Sequence, residues 1–514
     1  MKINKLSWCL GVLLAASTCL AQMYTVTDLG TVHIGGNTWS TATGINESGQ
    51  VIGVSYTTEN GFSAHAFRTA PNRPINPATD DFGPGTSAAA INSSGQVVGS
   101  FFLGVPFNST SHAFRTAPNR LLNPATDDLS KLLNPALYDL SDGYGINDSG
   151  QAVGVFLSIP FNEHSFRTAP NMPIDPETDN LGGPPFNIGF NEPFGINSAG
   201  QAVGHFGTAA GLLHAFRTAP NRPINPATDD LGELRNAPYH RSVAFAVNDF
   251  GQAVGGSIGF YSITDVGQVL VSFNDGDDVT LPSHAFRTAP NHPIHSATDD
   301  LGTFGGNLSA ALGIDNFGQV VGFSNLETAG VIYHAFLLSG HVMHDLNHLI
   351  PAGSGWELSS AMGINSKGQI AANGGRNELN GSGRALLLTP IYRAAVQRPI
   401  DADGSSVFSA TRGIIPVKFA VTKYDKYASC SLPATITVTR AAHGTLTPVP
   451  ERTYSKAEDG SNFRIAGCRY HYNLPARALG VGTYRVDISI NGIMVGHAVF
   501  ALKSGRHEDD KDDD

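Results

Sequence analysis

The sequence predicts an all-β protein, a seven-bladed β-propeller closed by an N-terminal strand and followed by an Ig-like β-sandwich. Three observations predict it. One short hairpin signature recurs seven times, each recurrence heads a unit with four strand-like segments, and the chain opens on a segment that its last unit lacks.

The signature reads Gly44-Ile45-Asn46-Glu47-Ser48-Gly49-Gln50-Val51-Ile52-Gly53 at its first appearance. It recurs around Asn92, Asn147, Asn197, Asn248, Asp315 and Asn365, with Gly95, Gly150, Gly200, Gly251, Gly318 and Gly368 in the place of Gly49. Successive anchors lie 46 to 67 residues apart, inside or just above the period of repeat architectures. Asn-x-x-Gly between two apolar segments suits a tight β-hairpin, because Asn caps the turn and Gly takes the left-handed position that ends it. This supplies two strands.

A second block follows, His65-Ala66-Phe67-Arg68-Thr69-Ala70-Pro71-Asn72, and then Thr79-Asp80-Asp81-Phe82-Gly83. The first part reads as a third strand and the segment closing on Asp-Leu-Gly as a fourth. Pro71, Pro74 and Pro77 confine their connection to a loop. Equivalent pairs are His112 and Phe114, His214 and Phe216, His284 and Phe286, and His334 and Phe336. The unit is expected to contain four strands and no helix.

Thr27-Asp28-Leu29-Gly30 at the start resembles the fourth strand of an internal unit, Asp300-Leu301-Gly302-Thr303, whereas the seventh unit stops at Pro390 without one. A closed ring whose last blade borrows its missing strand from the N-terminus requires this offset. An open solenoid gives no reason for it.

Lys2 and Lys5 precede the apolar run Leu10 to Ala16 and small residues follow at Cys19 and Ala21, the layout of a secretory signal peptide. The mature chain then starts at Gln22, with lipidation at Cys19 as the alternative. No later run is long enough to span a bilayer. Once Cys9 and Cys19 leave, Cys430 and Cys468 remain as an even pair in an oxidising compartment, and one disulfide is expected. The formal net charge of −11 becomes two units more negative when Lys2 and Lys5 are removed, which argues against nucleic-acid or anionic-membrane partners. With 58 glycines in 514 residues the chain is richer in Gly than the usual ~7%, as a turn-rich all-β protein would be.

The repeat resembles the HAF family of extracellular bacterial repeat proteins, named for the His-Ala-Phe seen here at His65, His112, His214, His284 and His334. The third unit departs with His164-Ser165-Phe166 and the seventh loses the triplet. The resemblance spans about residues 24 to 390 and implies export and repetition, but no chemistry. Pro416-Val417-Lys418-Phe419, Tyr470-His471-Tyr472-Asn473 and Gly482-Thr483-Tyr484-Arg485-Val486 look like the PxKF-type C-terminal module of exported bacterial proteins. The division is thus 1–21 signal peptide, 22–392 repeat region, 393–503 sandwich, with strands near Val417 to Val421, Ala434 to Val438, Tyr484 to Ile490 and Ala498 to Leu502, and 504–514 acidic tail.

A residue repeated in every unit serves the unit, so catalysis is sought in groups that break the repeat. No catalytic, cofactor or metal site is expected. The repeated histidines lie on the order of 10 Å apart between neighbouring sheets, too far for zinc donors at ~2 Å, and a ring nitrogen bonded to a loop is preferred. The repeated Asp-Asp reads as turn capping, and the repeated Arg68, Arg115, Arg167, Arg217 and Arg287 as a polyanion face or as partners of those aspartates. Gly255-Gly256-Ser257-Ile258-Gly259 matches a nucleophile elbow literally, yet falls where a strand belongs. Asp401-Ala402-Asp403-Gly404 lacks the distal Glu of a calcium loop, Arg412 standing there, and reads as a turn.

The expected function is a non-enzymatic, monomeric binding or scaffold module for an extracellular glycan, protein or cell surface. The varying inserts Phe101 to Ser111, Phe156 to Glu163 and Tyr261 to Pro282 would carry specificity. The alternative is a propeller-type hydrolase or lyase acting on extracellular polymer, which requires converging titratable groups.

Overall fold

A computed structural model describes residues 22–504 apart from 34–36, 59–61, 104–109, 135–136, 160–161, 183–190, 209–211, 235–240, 259–261, 264–268, 271–282, 327–331, 377–382, 443–444 and 455–459. The signal-peptide and acidic-tail readings fall on residues 1–21 and 505–514, outside the described residues. So do residues 104–109, 160–161, 261, 264–268 and 271–282 of the three inserts.

The repeat region is all-β and antiparallel. In the first unit β2 (Thr38–Ile45), β3 (Val51–Thr57), β4 (Ser63–Arg68) and β5 (Asp81–Pro84) pair in that order. The β2–β3 turn forms as its residues dictate. Asn46 Oδ1 accepts from the Ser48 and Gln50 main-chain N–H groups, and Gly49 turns left-handed at φ 83°. A Cβ on Gly49 would also sit 2.3 Å from Asn72 Oδ1.

Five further sheets repeat this plan, led by Thr86–Ile91, Tyr138–Ile146, Glu192–Ile196, Arg241–Val247 and Gly305–Ile314. A seventh runs Glu357–Ile364, Ile370–Gly375, Arg384–Pro390, and its fourth strand is β1 (Tyr24–Asp28), paired from Tyr24 opposite Pro390 to Asp28 opposite Leu386. The N-terminal segment therefore completes the last sheet, as the offset predicts.

The four-strand, no-helix expectation needs correction. The fourth strand pairs as a strand at Asp81–Pro84, Asp230–Gly232 and Val342–Asp345, but shrinks to one bridge at Asp128, Asn180 and Asp300. Single helical turns, Pro124–Asp127 and Pro226–Asp229, occupy two of the connections before it. Asn123 and Asn225 cap them through the Ala125 and Ala227 N–H groups, with Pro at the first helical position, where its missing N–H does no harm.

Burial explains the Phe of each triplet. Phe67 is fully buried with Val51 and Leu29 and with Ala371, Ala385 and Leu387 of the last unit. Phe114 packs with Ile52, Ala66 and Phe82 of the unit before it. Each such ring joins two sheets, and its burial contributes roughly 2–3 kcal/mol.

From Tyr392 the chain builds two further five-stranded sheets. One contains Tyr392–Gln397, Ile414–Lys423, Tyr427–Ser429, Arg464–Ala466 and Arg469–Pro475. The other contains Val407–Ser409, Ala434–Ala442, Thr445–Pro448, Gly482–Ile490 and Ile493–Lys503. The four anticipated strands all lie within these. Alternate residues such as Val417, Phe419 and Val421 face Tyr470, Tyr472, Ile436 and Val486 in one core, which continues through Leu346 and Leu349 to Met23 and Tyr24.

Cys430 and Cys468 form the expected disulfide across 38 residues. Replacing both by Ser should cost about 3 kcal/mol, mainly by freeing the unfolded chain. Urea unfolding of the double variant beside the parent checks this, and equal midpoints would refute it.

Candidate functional site

The repeated residues bond to one another within and between units. Nδ1 of His65, His112, His214, His284 and His334 lies 2.7–3.0 Å from a carboxylate oxygen of Asp81, Asp128, Asp230, Asp300 and Asp345. His164, in the deviant third unit, meets Asn180 instead. Burial works against the Asp81 carboxylate, but His65 and the Gly83 N–H hold it below the ordinary range. The preceding aspartate of each pair caps a turn, as Asp80 does for the Asn76 N–H.

Among the described residues no group of three His, Cys, Asp or Glu is placed to hold a metal ion. The repeated arginines reach forward: Arg68 Nη1 donates to the Gly95 and Arg120 carbonyls of the next unit, and Arg115 to those of Gly150 and Met172. They tie units together rather than presenting a polyanion face. Ala253–Ile258 is a strand, which removes the nucleophile-elbow geometry. Asp401 to Gly404 is a turn, closed by Gly404 N–H on the Asp401 carbonyl.

The hairpin asparagines do more than cap. Nδ2 of Asn46 donates to the Asn92 carbonyl, Asn92 to Asn147, Asn147 to Asn197, Asn197 to Asn248, Asn248 to Asp315, and Asn365 back to Asn46. The glutamine after each Gly was absent from the predicted set, although it makes a second set of links. Gln50 Nε2 donates to Asn119 Oδ1, Gln96 to Asn171, Gln151 to Asn221, Gln201 to Asn291 and Gln369 to Asn72. The signal was the Asn after each Ala-Pro, which takes φ near +56° where an L residue other than Asn is strained.

These hairpins surround a cavity of about 230 Å³, lined by Asn46, Asp148, Asp249 and their equivalents. A second cavity of about 230 Å³ is lined by residues of the same strands, among them Tyr144, Phe194, Phe245, Leu312 and Met362.

The opposite ends of the same strands break the repeat. Trp39 and Tyr56 stack at 5.2 Å and 14°, with Phe62, 69% exposed, beside both. Trp356 carries the Arg376 guanidinium 4.6 Å over its ring.

Three carboxyl groups gather at this end, from Asp142, Glu163 and Glu192. They stand on strands Tyr138–Ile146, Asn162–Arg167 and Glu192–Ile196, of which the first two share a sheet and the third leads the next. Ser111 Oγ donates to Asp142 Oδ1 at 2.6 Å. Burial, then Glu192 and Asp142, push the Glu163 carboxyl up to about 9. Burial and then Asp142 push Glu192 up to about 7. His205, opposite Glu192 in the sheet, is held neutral by burial and by Arg241, its titration lowered to about 3. Glu163 Oε1 and Asn191 Oδ1 are buried without a hydrogen-bond partner.

No protein-family model and no curated protein matches the chain. Among solved structures it is similar to a polysaccharide lyase at 10% identity and a TM-score of 0.15, the match covering 92% of this chain and 48% of that one. The chain thus spans about half the length of that protein.

The sequence reading anticipated no converging titratable groups, and here it missed a cluster. Asp142 and Glu192 take the place that Thr41, Ser87, Val243 and Ala310 hold in other units, so aligning the units on their hairpins was the available signal. Chemically, burial keeps Glu163 a proton donor at neutral pH beside the less strongly raised Glu192, and the aromatic rings offer flat apolar faces.

Proposed function

We propose that the seven sheets form a β-propeller closed by β1, that the C-terminal sheets form an Ig-like sandwich, and that the exported chain is a non-enzymatic module holding an extracellular glycan at the loop-bearing end. The observation that carries the reading is the gathering of an aromatic stack and of raised carboxyl groups that break the repeat at that end. Sugar rings present apolar faces to aromatic platforms and hydroxyls to carboxyl groups, and the Trp39–Tyr56–Phe62 stack and Glu163 offer both. The return of Asn365 to Asn46 and of β1 to the last sheet supports closure. Tyr484, whose hydroxyl donates to the Leu479 and Gly480 carbonyls just before its strand, supports the Ig-like reading.

A glycan array probed with residues 22–514, followed by titration of the ligands retained, is the test. Trp39→Ala and Glu163→Gln should each weaken binding roughly tenfold or more, about 1.4 kcal/mol. Unchanged affinity in both, or an array without ligands, would overturn the proposal.

The raised Glu163 and Glu192 carboxyls beside Asp142 favour one second reading, a polymer-cleaving enzyme with Glu163 as general acid. Release of new chain ends by the purified protein, lost in Glu163→Gln with melting unchanged, would replace the binding-only reading.

A further inference from the structure

Six hairpin asparagines use Nδ2 twice, on the Oε1 of the glutamine four residues later and on the carbonyl of the next hairpin. Asp315 holds the seventh such position and has no amide. It is 4% exposed, and its Oδ1 accepts from the Phe317 and Gln319 N–H groups as the Asn Oδ1 does elsewhere. Its Oδ2 is buried without a hydrogen-bond partner.

By the repeat, the groups that await a donor there are Gln319 Oε1 and the Asn365 carbonyl, both acceptors, while Gln319 Nε2 is the one donor of that amide and is buried without a hydrogen-bond partner. An ionised carboxylate would set oxygen against oxygen away from water.

The charged neighbours do not relieve this. Arg287 directs Nη1 to the Gly318 carbonyl. Arg485, from the C-terminal sheets, directs Nε to Asp487 and Nη2 to the Phe317 carbonyl. The His497 ring lies 4.0 Å from that of Phe317 and is kept neutral by burial and Arg485. The remaining titratable groups nearby are Asp487, Asp249 on the adjoining hairpin, bonded to Asn316, and the buried Tyr24 hydroxyl, raised by burial and then by Asp315 itself.

We propose that Asp315 is protonated in the folded chain and donates its Oδ2 hydrogen to the Asn365 carbonyl, so that this one link between hairpins opens when the proton leaves. Burial pushes its carboxyl up to about 7, and Asp487 adds to the rise, against the Gln319 and Phe317 N–H groups and Arg485. The unfolded chain releases this proton near the ordinary Asp value of ~3.9. The stabilising contribution is therefore fully present below that value and is lost as pH rises through about 7. The latch does not depend on what the loop-bearing end binds.

Melting of residues 22–514 and of Asp315→Asn, from about pH 4 to about pH 9, tests it. The variant copies the six other hairpins, so it is expected to fold. Its advantage over the parent should grow up to about pH 7 and then level off, while Glu163 and Glu192 contribute equally to both. A difference that does not change with pH overturns the proposal, and so does a parent more stable than the variant at about pH 8, which would mark an ionised, paired Asp315. Carboxyl-carbon NMR of the parent gives a second reading: an Asp resonance titrating near 7, retained in Asp487→Asn, is expected. Its absence overturns the latch without reference to stability.

Discussion

A chain lacking residues 24–30 is expected to lose about 5 kcal/mol or more of stability, the largest effect of any short deletion in the repeat region. The segment is an integral part of two units. Tyr24 and Leu29 are 2% and 0% exposed, and burial of two such side chains alone contributes roughly 4–6 kcal/mol. Five residue pairs tie β1 to Arg384–Pro390. The Leu29 N–H donates to the Ala385 carbonyl while its own carbonyl accepts from Ile75, so the segment is bonded to the last unit and to the first. Removing it uncovers Leu386 and Leu388, both fully buried, and leaves Phe67 without one of its packing partners.

The measurement is urea unfolding of the deleted chain beside the parent, with Leu29→Ala as a milder companion expected to cost about 3 kcal/mol. Midpoints that do not move would mean that β1 lies on the last sheet without supporting it, and the closed arrangement would lose its main physical basis.

The hairpins, the N-terminal offset and the disulfide were legible because each rests on a residue type with narrow chemistry. Gly49 alone tolerates its left-handed turn, Asn46 caps it, and Cys430 had one partner left once the leader cysteines were set aside. The fourth strand was less legible. At Asp128, Asn180 and Asp300 it is a single bridge, whereas Asp81 and Asp230, whose side chains make the same bonds to the histidine ring and the following N–H, begin strands, so the difference does not lie in the residues of the motif.

The carboxyl cluster was illegible for a different reason. Asp142, Glu163 and Glu192 come from three strands, and an isolated acid on a strand reads as a solvent-facing residue. Only the closeness of neighbouring sheets desolvates Glu163 and Glu192 beside Asp142 and pushes the two glutamate carboxyls up. The glutamine links, between residues as far apart as Gln369 and Asn72, escaped for the same reason.

Asn92→Ala should cost about 4 kcal/mol. Asn92 is 3% exposed. Its Nδ2 serves Gln96 Oε1 at 2.8 Å and the Asn147 carbonyl at 3.1 Å, and its Oδ1 receives the Gln96 N–H at 2.9 Å and the Ser94 hydroxyl at 2.8 Å. Alanine removes all four bonds, and water cannot easily replace those to Gln96 and Asn147, whose stranded polar groups cost roughly 1–3 kcal/mol each. A loss under about 1 kcal/mol would show that the inter-hairpin bonds are incidental to packing.

Asn92→Asp separates the two halves of the role. It keeps the acceptor that caps the turn and replaces the amide by a carboxyl, reproducing at the second hairpin what Asp315 is at the sixth. Below the titration of the buried acid the proton restores the donor and the loss should be small. Above it the carboxylate faces Gln96 Oε1 and the Asn147 carbonyl, and the loss should approach that of alanine. The Asp315 hairpin has Arg485 within electrostatic reach, whereas among the described residues no basic side chain bonds Asn92. The engineered acid should therefore give up its proton at higher pH than Asp315 does, and the separation between the two midpoints measures how far the C-terminal sheets stabilise an acid at the sixth link.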